Sequence, residues 1–169
     1  WTGQDNGWGR GLPPAEHNFE SWIIQADLLA RDELRPTAHD IAAAQAQALD
    51  LLRLRRSTPL FSLGSAELVR ERVSFPVCGP QAQPGVIVMV IDDGAGEADV
   101  DPALDGVVVV LNATPHEIGQ RVDALVGRFL VLSDVQAHGS DPVVRETRFD
   151  PATGKVTVPA RTVAVLVEP

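Results

Sequence analysis

Cysteine, tyrosine, positive charge and long apolar runs are what this 169-residue sequence has little of. Its single cysteine, Cys78, excludes an internal disulfide and a thiolate zinc site. Pro76-Val77 and Gly79-Pro80 flank it as a turn, and no neighbouring residue marks it as an activated nucleophile. Tyrosine is absent, and the three tryptophans, Trp1, Trp8 and Trp22, all lie near the start of the chain. Beyond Phe61 the remaining aromatics are Phe75, Phe129 and Phe149, at positions that read as core-facing strand residues. Such a pattern offers the second half of the chain no exposed aromatic platform for stacking on a ligand. No apolar stretch approaches the ~20 residues of a membrane-spanning helix. The 14 Lys and Arg are outnumbered by 23 Asp and Glu, and a net charge of -9 argues against a nucleic-acid partner. The chain opens at Trp1 with neither an initiator Met nor a leader pattern, so secreted and cytoplasmic locations stay equally open.

What is present is an ordinary globular composition, 44% hydrophobic and 22% charged. The first residues, with Gly3, Gly7, Gly9, Gly11, Pro13 and Pro14, predict an irregular, turn-rich loop. A helix is expected over Ser21–Ala30, and a longer one over Thr37–Arg56. The second starts at a Thr37 N-cap with Asp40 three residues on, and ends with Arg53, Arg55 and Arg56 suited to the negative end of the helix dipole. Ile41, Ala44, Ala48, Leu51 and Leu52 recur at helical spacing, and Ala42, Ala43, Ala46 and Leu49 widen that stripe. Burial on more than one side is the expectation. Ser57-Thr58-Pro59-Leu60-Phe61 then reads as a rigid turn.

From Val69 the chemistry is that of β structure. Expected strands are Val69–Phe75, Val86–Ile91, Val107–Asn112, Arg128–Ser133, Val143–Phe149, Lys155–Val158 and Thr162–Val167, with a hairpin loop at Asp150–Gly154. Pro115–Leu125 interrupts the pattern and is expected to hold a helical turn. The fold class is therefore mainly β: an antiparallel sandwich over residues 57–169, preceded by an α-helical arm over 1–56. Leu51, Leu52, Leu54, Leu60 and Phe61 are expected to form the junction between them.

Chemistry is sparse in this pattern. His17, His39, His116 and His138 show no i, i+4 zinc pair and read as surface residues. The acidic stretch Asp92–Gly106 carries clustered oxygen ligands of the kind calcium prefers, but lacks the closing Glu of an EF-hand; a solvated connection is the competing reading. Asp5 and Asn6 carry hydrogen-bonding side chains, and Trp8 beside them an aromatic face. Turn-capping by Asp5 and Asn6, with Trp8 as filler, is the alternative.

Four stretches carry a resemblance. They are Gln4-Asp5-Asn6-Gly7-Trp8-Gly9 with Gly11-Leu12-Pro13-Pro14, Ser57 to Gly64, Pro84 to Asp93, and Pro159-Ala160-Arg161-Thr162-Val163-Ala164-Val165-Leu166. Together they resemble the C-terminal region of pullulanase-type α-1,6-glucosidases, the starch-debranching branch of the α-amylase superfamily. The resemblance implies that this chain is a fragment: the end of a (β/α)8 barrel followed by the C-terminal sandwich. It also implies that the catalytic carboxylates lie on barrel strands upstream, so no catalytic residue is assigned here. Asp5, Asn6 and Trp8 become substrate-binding candidates in the loop after the last barrel strand. The implied partners are the catalytic barrel of the same polypeptide and, through it, a branched α-glucan. No cofactor is expected, with calcium in the parent enzyme left as an open alternative. An autonomous carbohydrate-binding or protein-interaction sandwich is the alternative.

Overall fold

The computed structural model describes residues 15–79, 82–96 and 99–169. Asp5, Asn6, Trp8 and the rest of the expected N-terminal loop lie outside them. The chain divides into two compact units, with the division after Ala48.

The first unit holds α1 (Ala15–Leu29), a 3-10 turn at Asp32–Leu34 and the start of α2 (Ala38–Arg55). Helix α1 is longer than the expected Ser21–Ala30 and extends toward the N-terminus. The cap of α2 is reciprocal. The Asp40 N–H donates to Thr37 Oγ1 at 3.3 Å, and the Thr37 N–H donates to Asp40 Oδ2 at 2.8 Å. These bonds favour the charged form, so Asp40 titrates below the usual carboxylate range, the Thr37 backbone N–H being the main cause. Burial of α2 on several sides is not observed. Only Leu54 is buried along it, and Leu49, Leu51 and Leu52 are exposed.

The second unit contains eight strands among the described residues, in the two sheets of a sandwich. They are β1 (Val73–Ser74), β2 (Val86–Asp92), β3 (Gly106–Asn112), β4 (Ile118–Arg121), β5 (Val131–Leu132), β6 (Arg148–Asp150), β7 (Lys155–Val158) and β8 (Thr162–Glu168). The larger sheet has the order β1-β2-β3-β8-β5, the smaller β4-β7-β6, and every pairing is antiparallel. The mainly β, antiparallel fold after a helical segment is as expected.

The sheet register explains the dense Val and Ile runs. Alternate residues of β2, β3 and β8 face opposite ways. Val88, Val110 and Ala164 form one cross-strand row, and Val90, Val108 and Leu166 another. Both pack against Ile118, Val122, Leu125, Val156 and Val158 to make the sandwich core. The reverse face is equally apolar: Ile87-Leu111-Val163, Met89-Val109-Val165 and Ile91-Val107-Val167. Leu54, Leu60, Phe61 and Leu63 belong to the cluster on that face. A sheet covered on both faces loses the alternation of a half-solvated one, which is why these strands read as continuous runs.

Several boundaries differ from expectation. Val69–Phe75 is not a strand: Ala66–Arg72 is helix α3, and only Val73–Ser74 joins the sheet. The cap decides it. Ser65 Oγ accepts the Leu68 N–H at 3.2 Å, with Glu67 in the first turn and Arg70 and Arg72 in the last. The expected strand Arg128–Ser133 shrinks to β5, followed by the short helix α4 (Asp134–Ala137). Val143–Phe149 becomes a 3-10 turn at Val144–Glu146 leading into β6. Within Pro115–Leu125 the expected helical turn exists at Asp123–Leu125, but β4 precedes it. Of the expected junction residues, Leu54 and Leu60 are buried and Phe61 packs beside them, whereas Leu51 and Leu52 are 59% and 63% exposed. Phe75 and Phe129 are also exposed rather than core residues; Phe149 alone of the three packs on the core.

Candidate functional site

The acidic stretch after β2 is the densest collection of chemistry-bearing side chains in the second unit. Asp93 is buried and forms an ion pair with Arg72 of α3, whose side chain is 0% exposed. Arg72 Nη1 also donates to the Asp93 carbonyl at 2.8 Å. The Asp93 carboxylate further accepts the Asp101 N–H at 2.7 Å and the Val100 N–H at 3.2 Å. Thr58 Oγ1 donates to Asp101 Oδ2 at 2.6 Å while accepting the Leu60 N–H at 3.1 Å. The loop is thereby fastened at one end to α3 and at the other to the 3-10 turn Pro59–Ser62.

That arrangement bears on calcium. Asp93, Asp99, Asp101 and Asp105 do line a shallow depression of about 240 Å³. Asp93 and Asp101 nevertheless already serve protein donors. Among the described residues no group of three or more His, Cys, Asp or Glu is placed to hold a metal ion. The stretch works as a strap. A larger open cleft of about 550 Å³ is lined by Pro76, Val77, Cys78, Gln120, Arg121 and Asp123, with Arg121 and Asp123 paired at 2.8 Å. Cys78 is a free, exposed thiol at its rim. His17, His39, His116 and His138 are all exposed.

The other feature with functional potential is apolar. The Ile87-Leu111-Val163 row runs across three strands of the larger sheet, with Ile87 51% and Val163 42% exposed. Leu49, Leu51 and Leu52 are exposed in the same unit. Contiguous cross-strand rows of this kind, unlike scattered single residues, mark surfaces built to be covered. Among the described residues no helix is long and apolar enough to cross a membrane.

Comparison with known proteins gives these features a context. Residues 3–169 match the family described as alpha-1,6-glucosidases, pullulanase-type, C-terminal. The chain belongs to that family. Chloroplastic pullulanase 1 of Arabidopsis thaliana is 40% identical over 167 residues, covering 96% of this chain and 17% of its own length. A pullulanase of Klebsiella pneumoniae is 34% identical over 170 residues, covering 98% of this chain and 15% of its own. The crystal structure of a maltotriose complex of PulA from Klebsiella pneumoniae superposes with a TM-score of 0.79, at 34% identity, over 94% of this chain and 17% of that one. PulA from Klebsiella oxytoca gives 0.78 at 33% identity, over 94% of this chain and 15% of that one. The pullulanase-type C-terminal region thus spans roughly a sixth of the relatives' length, 15–17%.

Sequence reasoning missed the residues that organise this unit. Arg72 was hidden inside an expected strand, and Asp93 inside an expected solvated loop. The available signal was Ser65-Ala66-Glu67, a cap followed by an acid in the first turn, ahead of Arg70 and Arg72.

Proposed function

We propose that this chain is the non-catalytic C-terminal part of a pullulanase-type debranching enzyme that hydrolyses α-1,6 branch points in branched α-glucans. Its sandwich covers and stabilises the catalytic barrel of the same polypeptide. The family match over residues 3–169, occupying 15–17% of each relative, carries this reading. Exposed Ile87 and Val163, with the exposed leucines of the second unit, support it, because they supply apolar surface such a partner needs. In this reading residues 1–56 complete the barrel, residues 57–169 form the sandwich, and Asp5, Asn6 and Trp8 reach the substrate.

Retaining glycoside hydrolysis requires a nucleophilic carboxylate and an acid carboxyl about 5–5.5 Å apart. The barrel supplies both. The experiment compares reducing-end release from pullulan by the complete polypeptide and by the 169-residue chain, together with the thermal stability of the complete polypeptide truncated before Ser57. Activity only in the complete polypeptide, with lowered stability on truncation, is expected. Hydrolysis by the chain alone, or a truncated enzyme of unchanged stability, would overturn the proposal.

One observation favours a second reading, recognition of glucan by the sandwich itself. Phe129 is 67% and Phe75 52% exposed. They flank opposite edges of the larger sheet, beside β5 and β1, so they do not form one platform. Retardation of the chain in a pullulan or amylopectin affinity gel, abolished by Phe129→Ala, would favour it.

A further inference from the structure

Strand β8 is flanked along its whole length by β3 but by β5 only at Leu166 and Val167. Its remaining edge, Thr162–Val165, is closed by other means. The Ser133 N–H donates to the Val165 carbonyl at 2.9 Å. Just beyond, the Gln136 side chain of α4 bonds β8 twice: Nε2 donates to the Val163 carbonyl at 2.8 Å, and Oε1 accepts the Val165 N–H at 2.7 Å. A donor to residue i-1 and an acceptor from residue i+1 is how one residue of a parallel strand bonds its neighbour. The carboxamide therefore stands in for a strand residue opposite Ala164.

The strand so protected has the composition of a self-pairing segment. Thr162-Val163-Ala164-Val165-Leu166-Val167-Glu168 is Val-rich, lacks Pro and Gly, and carries charge only at its end. An open edge of this kind is a template for strand addition, and the nearest complementary strand is the same segment of another molecule. We propose that Gln136 is an edge guard, whose carboxamide closes β8 against antiparallel pairing with β8 of a second copy of this chain. The inference rests on Gln136 and β8 alone and does not depend on the proposed function.

Hydrogen exchange of β8 amides in the full 169-residue chain, followed against protein concentration, tests it. In Gln136→Ala, dilute protein should exchange the Val165 N–H roughly tenfold faster than the native chain, as expected for one lost hydrogen bond. Raising the concentration should restore protection at that amide as dimers form, whereas the native chain should show no such dependence. Gln136→Met preserves the bulk of the side chain without its amide and should behave likewise. Adding Val163→Lys, which places a charge beside the exposed edge, should return either variant to a monomer. Native-like protection of the Val165 amide in both variants, or association that leaves β8 amides unprotected, would overturn the proposal. Loss of folding in both Gln136→Ala and Gln136→Met would also overturn it, by making Gln136 a structural requirement instead of a guard.

Discussion

Removing the Asp93 carboxylate should be among the most damaging single changes in the second unit. Asp93→Ala takes a buried carboxylate away from the Arg72 guanidinium, the two side chains being 0% and 3% exposed. It also deprives the Val100 and Asp101 N–H groups of their acceptor. Breaking one side of a buried ion pair costs about 3–5 kcal/mol, because the desolvation of the remaining group is no longer offset by that pairing. At about 2–4 °C per kcal/mol for a chain of this size, the melting temperature should fall by roughly 6–20 °C. Arg72→Met should cost less, since the carboxylate it leaves behind still holds two backbone donors. Combining Arg72→Met with Asp93→Ala removes both charges, so the double variant should lose less than the sum of the two single losses. Thermal and urea melts of the four proteins provide the cycle. If Asp93→Ala melted within about 2 °C of the native chain, the behaviour of an ordinary surface substitution, the strap would not hold α3 and the reasoning would fail.

Leu60→Ala and Leu54→Ala, both at buried positions, should each cost about 2–5 kcal/mol in urea unfolding of the chain. Leu52→Ala, at a 63% exposed position, should stay within about 0.5 kcal/mol in the chain but lower the melting temperature of the complete polypeptide, where the proposed barrel covers it. Gly154→Ala should destabilise by more than about 1–2 kcal/mol, since φ there is +65° and an added Cβ would collide with the Val122 carbonyl. Asp150 titrates below the usual carboxylate range, first because Thr153 Oγ1 donates to it and next because the Ala152 N–H does. Its depressed folded-state pKa stabilises the hairpin above the unfolded value of 3.8 and loses that effect as pH falls through the lower folded value, so Asp150→Ala should flatten the acid limb of stability in melts between pH 5 and 2.

How legible the fold was depended on whether a segment's structure is decided locally. Lys155–Val158 alternates, follows a turn fixed by Asp150 and Gly154, and appears where expected. Thr37 with Asp40 writes a capping box into four residues, and α2 begins there. Val69–Phe75 failed because Val69, Val73 and Phe75 would share one face of a strand, while the i, i+4 spacing of Val69 and Val73 fits a turn of helix equally well. The Ser65 cap favours the helix locally, and Arg72 is then buried against Asp93, 21 residues away. Non-local pairing of this kind leaves no periodic trace. Gln136 was invisible for the same reason, since its two bonds span 27 and 29 residues.

The apolar residues of α2 misled in an instructive way. A helix apolar around much of its circumference is ordinarily a buried one, yet in this unit Leu54 is covered while Leu49, Leu51 and Leu52 are not. The pattern and the exposure conflict only if the chain is taken as self-sufficient. Its larger sheet raises the same conflict: two apolar faces, one filling the sandwich, the other ending in a row whose Ile87 and Val163 are exposed on either side of a half-buried Leu111. A chain with a net charge of -9 has ample polar residues to cover such a row. Apolar side chains stand there instead, on a rigid sheet that fixes their spacing. Under the proposed function both conflicts have one physical resolution: the same upstream barrel removes helix leucines and sheet row from water, and the hydrophobic pattern describes the assembled polypeptide.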